Sequence, residues 1–250
     1  MNKFHNDLVK FNIKIANHVF SITSEYPLLE RLFTDFLTEA HEESEIHINW
    51  DDIQVDADEL DDNNPTCASH NIQNIRLTIP KIIKEVTEKL ISYDIILIHG
   101  ASISYNNQAI IFSAPSGTGK TTHILKWLDR LPEAFVVNGD KTFISANNDD
   151  QAPLVFGSPW AGKENMYSNT VVSLKAIVFI EQDYNNNIVP ITFSEAFPRL
   201  IQQIYRPEDT ELTRKTLNTI ITFKDRVSFW LFKCNNYKED CFEVAFDALY

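Results

Sequence analysis

The chain has 250 residues, of which 44% are hydrophobic and 12% aromatic, including 17 Phe. That is enough for one substantial core, or a core with a small appended lobe, and it excludes a disordered chain. Twenty-two basic residues against 35 acidic ones leave a formal charge of −13, which excludes nucleic acid and anionic membrane as general partners because the field repels their phosphates.

Three cysteines, an odd number with no CxxC among them, argue against a disulfide framework or a zinc site and fit a reducing cytoplasm. Residues 1–12 carry no secretory pattern, and no apolar run is long enough to span a bilayer. A soluble cytoplasmic protein is expected. Acidic residues crowd at 42–45 and 51–62, where a solvated face or loop is the expected reading rather than a docking site for a basic substrate.

In chain order, residues 11–23 (FNIKIANHVFSIT) alternate at Phe11, Ile13 and Ile15, the period of a half-buried strand, and a second strand is expected from Val19. Residues 28–40 predict a short amphipathic helix, and residues 45–55 alternate again at Ile46, Ile48 and Trp50. Residues 56–65 predict a loop. Pro80 suits the first turn of a helix, with Ile83, Val86 and Leu90 on one face. Apolar runs at 95–98 and 109–112, separated by Asn106-Asn107, predict a pair of strands joined by a turn. A helix is expected from Lys120 to about Leu131, then a buried strand at 135–137. VVSLKAIVFI at 171–180 is β-branched and predicts a central strand. Residues 194–205 and 208–222 predict helices, 227–232 a strand, and 242–249 a last helix or strand. The strand–loop–helix–strand order predicts an α/β core. The expected division is a small α+β N-terminal lobe over 1–92 and an α/β core over 93–250, with one continuous domain as the alternative.

The strongest chemical signal is SAPSGTGKTT at 113–122, set directly after an expected strand and before an expected helix. Ser116, Gly117, Thr118, Gly119, Lys120, Thr121 and Thr122 make up a phosphate-binding loop of the P-loop type. The glycines let main-chain N–H groups point inward, and the helix start adds unpaired donors. Lys120 can neutralise the β- and γ-phosphates of ATP, and the Thr121 hydroxyl can ligate Mg²⁺. A local nest of this kind overrides the negative field of the whole chain. Ala114 stands where the general pattern has its first Gly.

VVNGDK at 136–141 ends a strand that follows the loop's helix. Asp140 can bind Mg²⁺ or accept a proton from an attacking hydroxyl, and an ordinary Asn-Gly-Asp turn weighs equally. His99 closes another expected strand, where a lone His is more often structural. The polar stretch 156–169 (FGSPWAGKENMYSN) holds Lys163 and Glu164 near Trp160. It is either a clamp on an acceptor or γ-phosphate, or a surface loop anchored by Trp160.

LIHGA, SGTGKTT, the strand ending in GDK and GSPWAGKEN, in this order, resemble the HPr serine kinase family. They are closest to its relatives found with ribosomally made peptides, a group that shares a nucleotide fold with ATP-dependent phosphoenolpyruvate carboxykinase. The resemblance covers roughly residues 92–249 and more loosely the N-terminal strands. It implies an α/β fold with a P-loop core, a mixed sheet and a small β-rich N-terminal lobe. It implies that Lys120 and Thr121 hold phosphate and metal, that Asp140 is the general base or a metal ligand, and that His99 belongs to the active site. Lys141 stands where the family has a second acid. QQIYRP at 202–207 makes Arg206 a candidate phosphate contact, with a structural Arg equally open. The implied activity is an ATP- and Mg²⁺-dependent kinase acting on a Ser or Thr hydroxyl of a peptide or small protein, with Lys163 or Arg206 stabilising the transferred phosphoryl; a homo-oligomer is left open. The competing readings are a nucleotide-binding regulatory module without transferase activity, a carboxykinase-like enzyme, and a kinase of a small metabolite.

Overall fold

The computed structural model describes residues 8–48, 67–146, 151–235, 238 and 240–250, with backbone alone at 27 and 67–77. The acidic loop expected at 56–65, the cluster at 51–62 and the far half of the strand expected over 45–55 lie outside the described residues. The chain divides into two compact units, Met1–Lys89 and Leu90–Tyr250.

In the first unit, β1 (Val9–Ile15) and β2 (His18–Ser24) form a hairpin, and β3 (Ser44–Ile48) adds parallel to β2. Phe11, Ile13 and Ile15 face inward at period two, as their spacing requires. The expected helix over 28–40 is instead a 3-10 segment, Pro27–Phe36, with non-helical geometry at Phe33. Its buried residues are Leu29, Phe33 and Phe36, and 3-10 winding eclipses side chains three apart, so Phe33 and Phe36 turn the same way.

Helix α1 runs Cys67–Ile91, so Pro80 lies inside it rather than at its start. The residues ahead of Pro80, CASHNIQNIRLTI, lack a clear apolar stripe, which hid the helix from its sequence. Ile82, Val86 and Leu90 are the buried set, with Ile83 only partly covered. Among the described residues no helix is long and apolar enough to cross a membrane.

The second unit is a mixed α/β body built on β4 (Ile95–Tyr105), β5 (Gln108–Ser113), β6 (Phe135–Asn138), β7 (Lys141–Ser145), β8 (Leu154–Phe156), β9 (Val171–Gln182), β10 (Asn187–Ile191) and β11 (Ser228–Cys234). Asn106 and Asn107 both have positive φ (50° and 60°), the geometry of a tight hairpin between β4 and β5. The sheet order is β10-β11-β9-β5-β4-β7-β8, with β6 beside β4. β8 pairs with β9 as well as β7, so the pairings close a ring through β9, β5, β4, β7 and β8. β10 is an outer strand, with Pro190 opposite Trp230.

β9 is buried on both faces. Leu174, Ile177 and Phe179 join one core with Ala196 and Leu200 of α3 (Phe193–Gln203) and Ile220 and Phe223 of α4 (Thr210–Phe223). Ala176, Val178 and Ile180 join the other with Ile124 and Trp127 of α2 (Lys120–Arg130) and Phe242 and Ala245 of α5 (Cys241–Leu249). The near-continuous apolar run read from the sequence is the signature of a strand covered on both sides.

Candidate functional site

Residues 114–119 connect β5 to α2. Gly117 (φ +79°) and Gly119 (φ +110°) both take left-handed backbone angles. A Cβ on Gly117 would meet no atom within 4 Å, so it is the backbone angle that favours Gly there. Gly119 is also the N-cap of α2 and makes no side-chain cap, which leaves the first N–H groups of that helix for an external acceptor.

Lys120 is buried, and its Nζ donates to the loop's own carbonyls, at 2.8 Å from Ala114 O and 3.3 Å from Pro115 O. Burial lowers its pKa; Asp140 pulls the other way, and Lys141 adds to the lowering. Thr121 and Thr122 follow on the first turn.

Opposite the loop, β6 and β7 run as one interrupted strand along β4. His99 pairs with Lys141, Ser102 pairs with Asn138, and Gly100 N–H bonds to Asp140 O across the interruption. Asn138 shapes the break. Its Oδ1 accepts from the N–H groups of Asp140 (2.8 Å) and Lys141 (2.7 Å), while its Nδ2 donates to Ser158 O and Oγ, both at 2.9 Å. Ser158 Oγ donates in turn to Lys141 O. The Asn-Gly-Asp turn is thus held by its own first side chain, fully buried, and a carboxylate is presented from it.

Asp140 has cationic and ring partners on both oxygens. Lys141 Nζ is 2.5 Å from Oδ2, and His99 Nε2 is 3.2 Å from Oδ1. Burial pushes its pKa up, but the hydrogen bonds from His99 and Lys141, with the charge of the latter, outweigh it and hold the carboxyl well below the usual carboxylate range. His99 Nδ1 is 3.1 Å from Gln203 Oε1. Gln203 is in position because the end of α3 is tied to β4 by an Ile98–Ile204 bridge and a Tyr205 N–H bond to Leu97 O.

Gly162 (φ +77°) closes over this carboxylate. A Cβ there would lie 3.0 Å from Asp140 Cβ. The cleft, about 510 Å³, is lined by His99, Ser116, Gly117, Gly119, Lys120, Thr121 and Thr122, and by Gly139, Asp140, Gly162, Lys163 and Glu164. The structure therefore brings the loop, His99, Asp140 and Lys163 to one place. Arg206 is exposed and does not line it: antiparallel to β4, it falls beyond Ile204 and runs away from His99. Trp160 is buried and stacks edge-on against Phe143 at 6.0 Å, anchoring the 156–169 stretch.

A second cleft of about 650 Å³ shares Gly117, Gly119 and Thr122 with the first and reaches Gln182, Asp183 and Tyr184 at the end of β9 and Cys234 and Asn235 at the end of β11. Gln182 Nε2 donates to Thr118 O at 3.4 Å, tying that wall to the loop. The loop thus lies between two clefts.

Asn138, Ser158 and Gln203 were not among the site residues that the sequence suggested. Asn138 had a signal, as the first residue of an Asn-Gly-Asp turn. Gln203 had none, since its role depends on α3 meeting β4. Among the described residues no three His, Cys, Asp or Glu side chains converge as a ready-made metal cage. Mg²⁺ asks less, taking one or two protein oxygens beside phosphate and water, and Thr121 and Asp140 can supply them.

No family model matches the sequence, and no curated protein matches it. A solved structure, the Hpr(Ser) kinase/phosphatase from Coxiella burnetii, aligns with 61% of this chain and 95% of its own at 10% identity, with a TM-score of 0.36. At that level of likeness nothing of its chemistry transfers to this chain.

Proposed function

We propose that this chain is an ATP-dependent phosphotransferase that moves the γ-phosphoryl group to a Ser or Thr hydroxyl of a peptide or small protein. The observation that carries the reading is the placement of Asp140 across one cleft from Lys120 and Thr121, with His99 and Lys141 on its two oxygens.

In this reading the loop amides and Lys120 hold the triphosphate, Lys120 leaving the carbonyls of Ala114 and Pro115 to do so. Thr121 and Asp140 are the residues that would hold Mg²⁺, which screens the charge of the β- and γ-phosphates. Asp140 orients the acceptor hydroxyl or takes its proton, and His99 and Lys141 fix the direction in which the carboxylate points. Lys163, exposed at the cleft's rim, is a cation placed to meet the transferred group. Positioning and charge stabilisation supply most of the rate, because phosphoryl transfer asks little covalent help from the protein. The second cleft, continuous with the loop, is the place for the nucleoside.

The test is incubation with labelled ATP, Mg²⁺ and a hydroxyl-bearing peptide library, read by mass. Transfer that survives Lys120→Ala at full rate would sink the reading. One observation favours a second reading, a nucleotide-binding module without transfer: Lys141 occupies the carboxylate oxygen that a metal or acceptor would use. Tight ATP binding with neither transfer nor hydrolysis would select it.

A further inference from the structure

The second cleft exists because two strands overshoot the phosphate loop. β5 ends at Ser113, opposite Phe179 of the parallel strand β9, and the loop leaves from there. β9 runs on to Gln182, where Cys234 of β11, also parallel, is paired with it. Three residues of extended chain make that overhang about 10 Å long. A crevice outside the carboxyl ends of parallel strands is the usual place for a ligand in an α/β sheet.

The turn after the overhang is pinned on every side. Asp183 N–H donates to Cys234 O at 3.0 Å, and Asn185 N–H donates to Asp183 Oδ1 at 3.2 Å. Lys238 Nζ donates to Asn185 Oδ1 at 3.0 Å. Asn186 Nδ2 donates to Asp240 Oδ1 at 2.6 Å, and Asn186 Oδ1 accepts from Asn235 N–H at 2.7 Å. Tyr184 lies in the middle of this bonded set, lines the cleft, and is 87% exposed. An aromatic side chain has only two side-chain torsions to fix, and here the backbone beneath it is already fixed. A planar partner laid on the ring therefore loses little to ordering.

Charge gives the cleft a direction. At one end the unpaired N–H groups of the α2 start attract phosphates. At the other, the Asp183 carboxylate repels them. A nucleotide spanning the cleft thus has its phosphates on the loop and its uncharged base at Tyr184.

We propose that Tyr184 is the base-stacking residue of this cleft and that it selects purine nucleotides over pyrimidine ones. The proposal rests on the loop holding the phosphates of a nucleotide, and it adds the class of base. Stacking acts on the face of a base, whatever its edge carries. The two fused rings of a purine cover more of the Tyr184 ring than the single ring of a pyrimidine, and the apolar area removed from water rises with them. Gln182, whose Nε2 donates to Thr118 O at 3.4 Å, ties the stacking wall to the loop, so base and phosphates are held by one connected surface.

The test is calorimetric titration of the full chain with ADP, CDP and inorganic pyrophosphate, each with Mg²⁺. Wild type should bind ADP about 3- to 10-fold more tightly than CDP, in line with differences in stacking strength. Tyr184→Ala should weaken ADP binding about 5- to 150-fold, the range for loss of one stacked aromatic ring. The same variant should leave pyrophosphate binding unchanged and bring ADP and CDP close together. Tyr184→Phe, which keeps the ring face, should bind ADP as wild type does. Equal binding of ADP and CDP by wild type overturns the proposal, and that comparison needs no variant. So does a Tyr184→Ala chain that binds ADP normally, or one that loses ADP and pyrophosphate alike. In these cases pyrophosphate bound by wild type shows that the phosphate loop still stands and only the base assignment has failed. A wild-type chain that binds neither ADP nor pyrophosphate removes the loop reading and the base assignment together.

Discussion

His99 and Asp140 meet because of strand register: His99 pairs with Lys141, Gly100 N–H bonds to Asp140 O, and His99 Nε2 then lies 3.2 Å from Asp140 Oδ1. A one-residue slip of β7 along β4 would turn these side chains to the other face. The pair is thus built into the sheet rather than carried by a free loop.

Asp140→Asn should lower turnover of phosphoryl transfer about 10²- to 10⁴-fold, the range for loss of a positioned acid or base, while nucleotide affinity changes only a few-fold. Steady-state kinetics beside equilibrium nucleotide binding separate the two. Equal losses in both would assign Asp140 to metal binding.

The same carboxyl makes a pH prediction. Its pKa is lowered in the folded state, so its contribution to stability is present at neutral pH. That contribution is lost as pH falls below the ordinary carboxylate value of about 4 toward the lower folded value. Wild type should be more stable than Asp140→Asn at neutral pH, and the gap should narrow on acidification. Denaturant titrations at several pH values measure it.

Lys120→Ala should weaken nucleotide binding about 30- to 100-fold, as removal of a charged phosphate contact predicts. The fold should persist, because the side chain bonds only to the loop carbonyls of Ala114 and Pro115. Calorimetric titration with ADP and a circular dichroism melt test both halves.

The strand–loop–helix setting of residues 113–122 was legible in the sequence because its signals are local: glycines, one lysine and hydroxyl residues lie between an apolar strand and an amphipathic helix. The β4–β5 turn at Asn106-Asn107 and the apolar run of β9 were legible for the same reason. The short strands β7, β8 and β10 were not. β8 has three residues, β10 carries Pro190, and each is defined by its partners rather than by its own pattern. The extent of α1 was hidden by a polar first half. Gln203 could not be read at all, since nothing near it in sequence announces that α3 will end beside His99.

Asn138 offers a graded series. Asn138→Ala strips an acceptor from the N–H groups of Asp140 and Lys141 and a donor from Ser158, and should cost about 2–4 kcal/mol. Asn138→Asp keeps the acceptor, loses the donor, and should fall between. Chemical denaturation ranks the three proteins.

Gly162→Ala should destabilise by about 1–2 kcal/mol, because φ is +77° and the added methyl group presses on Asp140. Its larger effect should be on transfer rate, with nucleotide affinity little altered. A variant with normal turnover would show that the position of this carboxylate is not critical.

Pro190 has a consequence for self-association. Closing the ring through β8 pairs off one flank of the large sheet, and β10 stands at the other with a residue that has no main-chain N–H. A strand arriving there from another molecule would find a gap in the donor row, the device by which natural sheets resist fibre-like stacking.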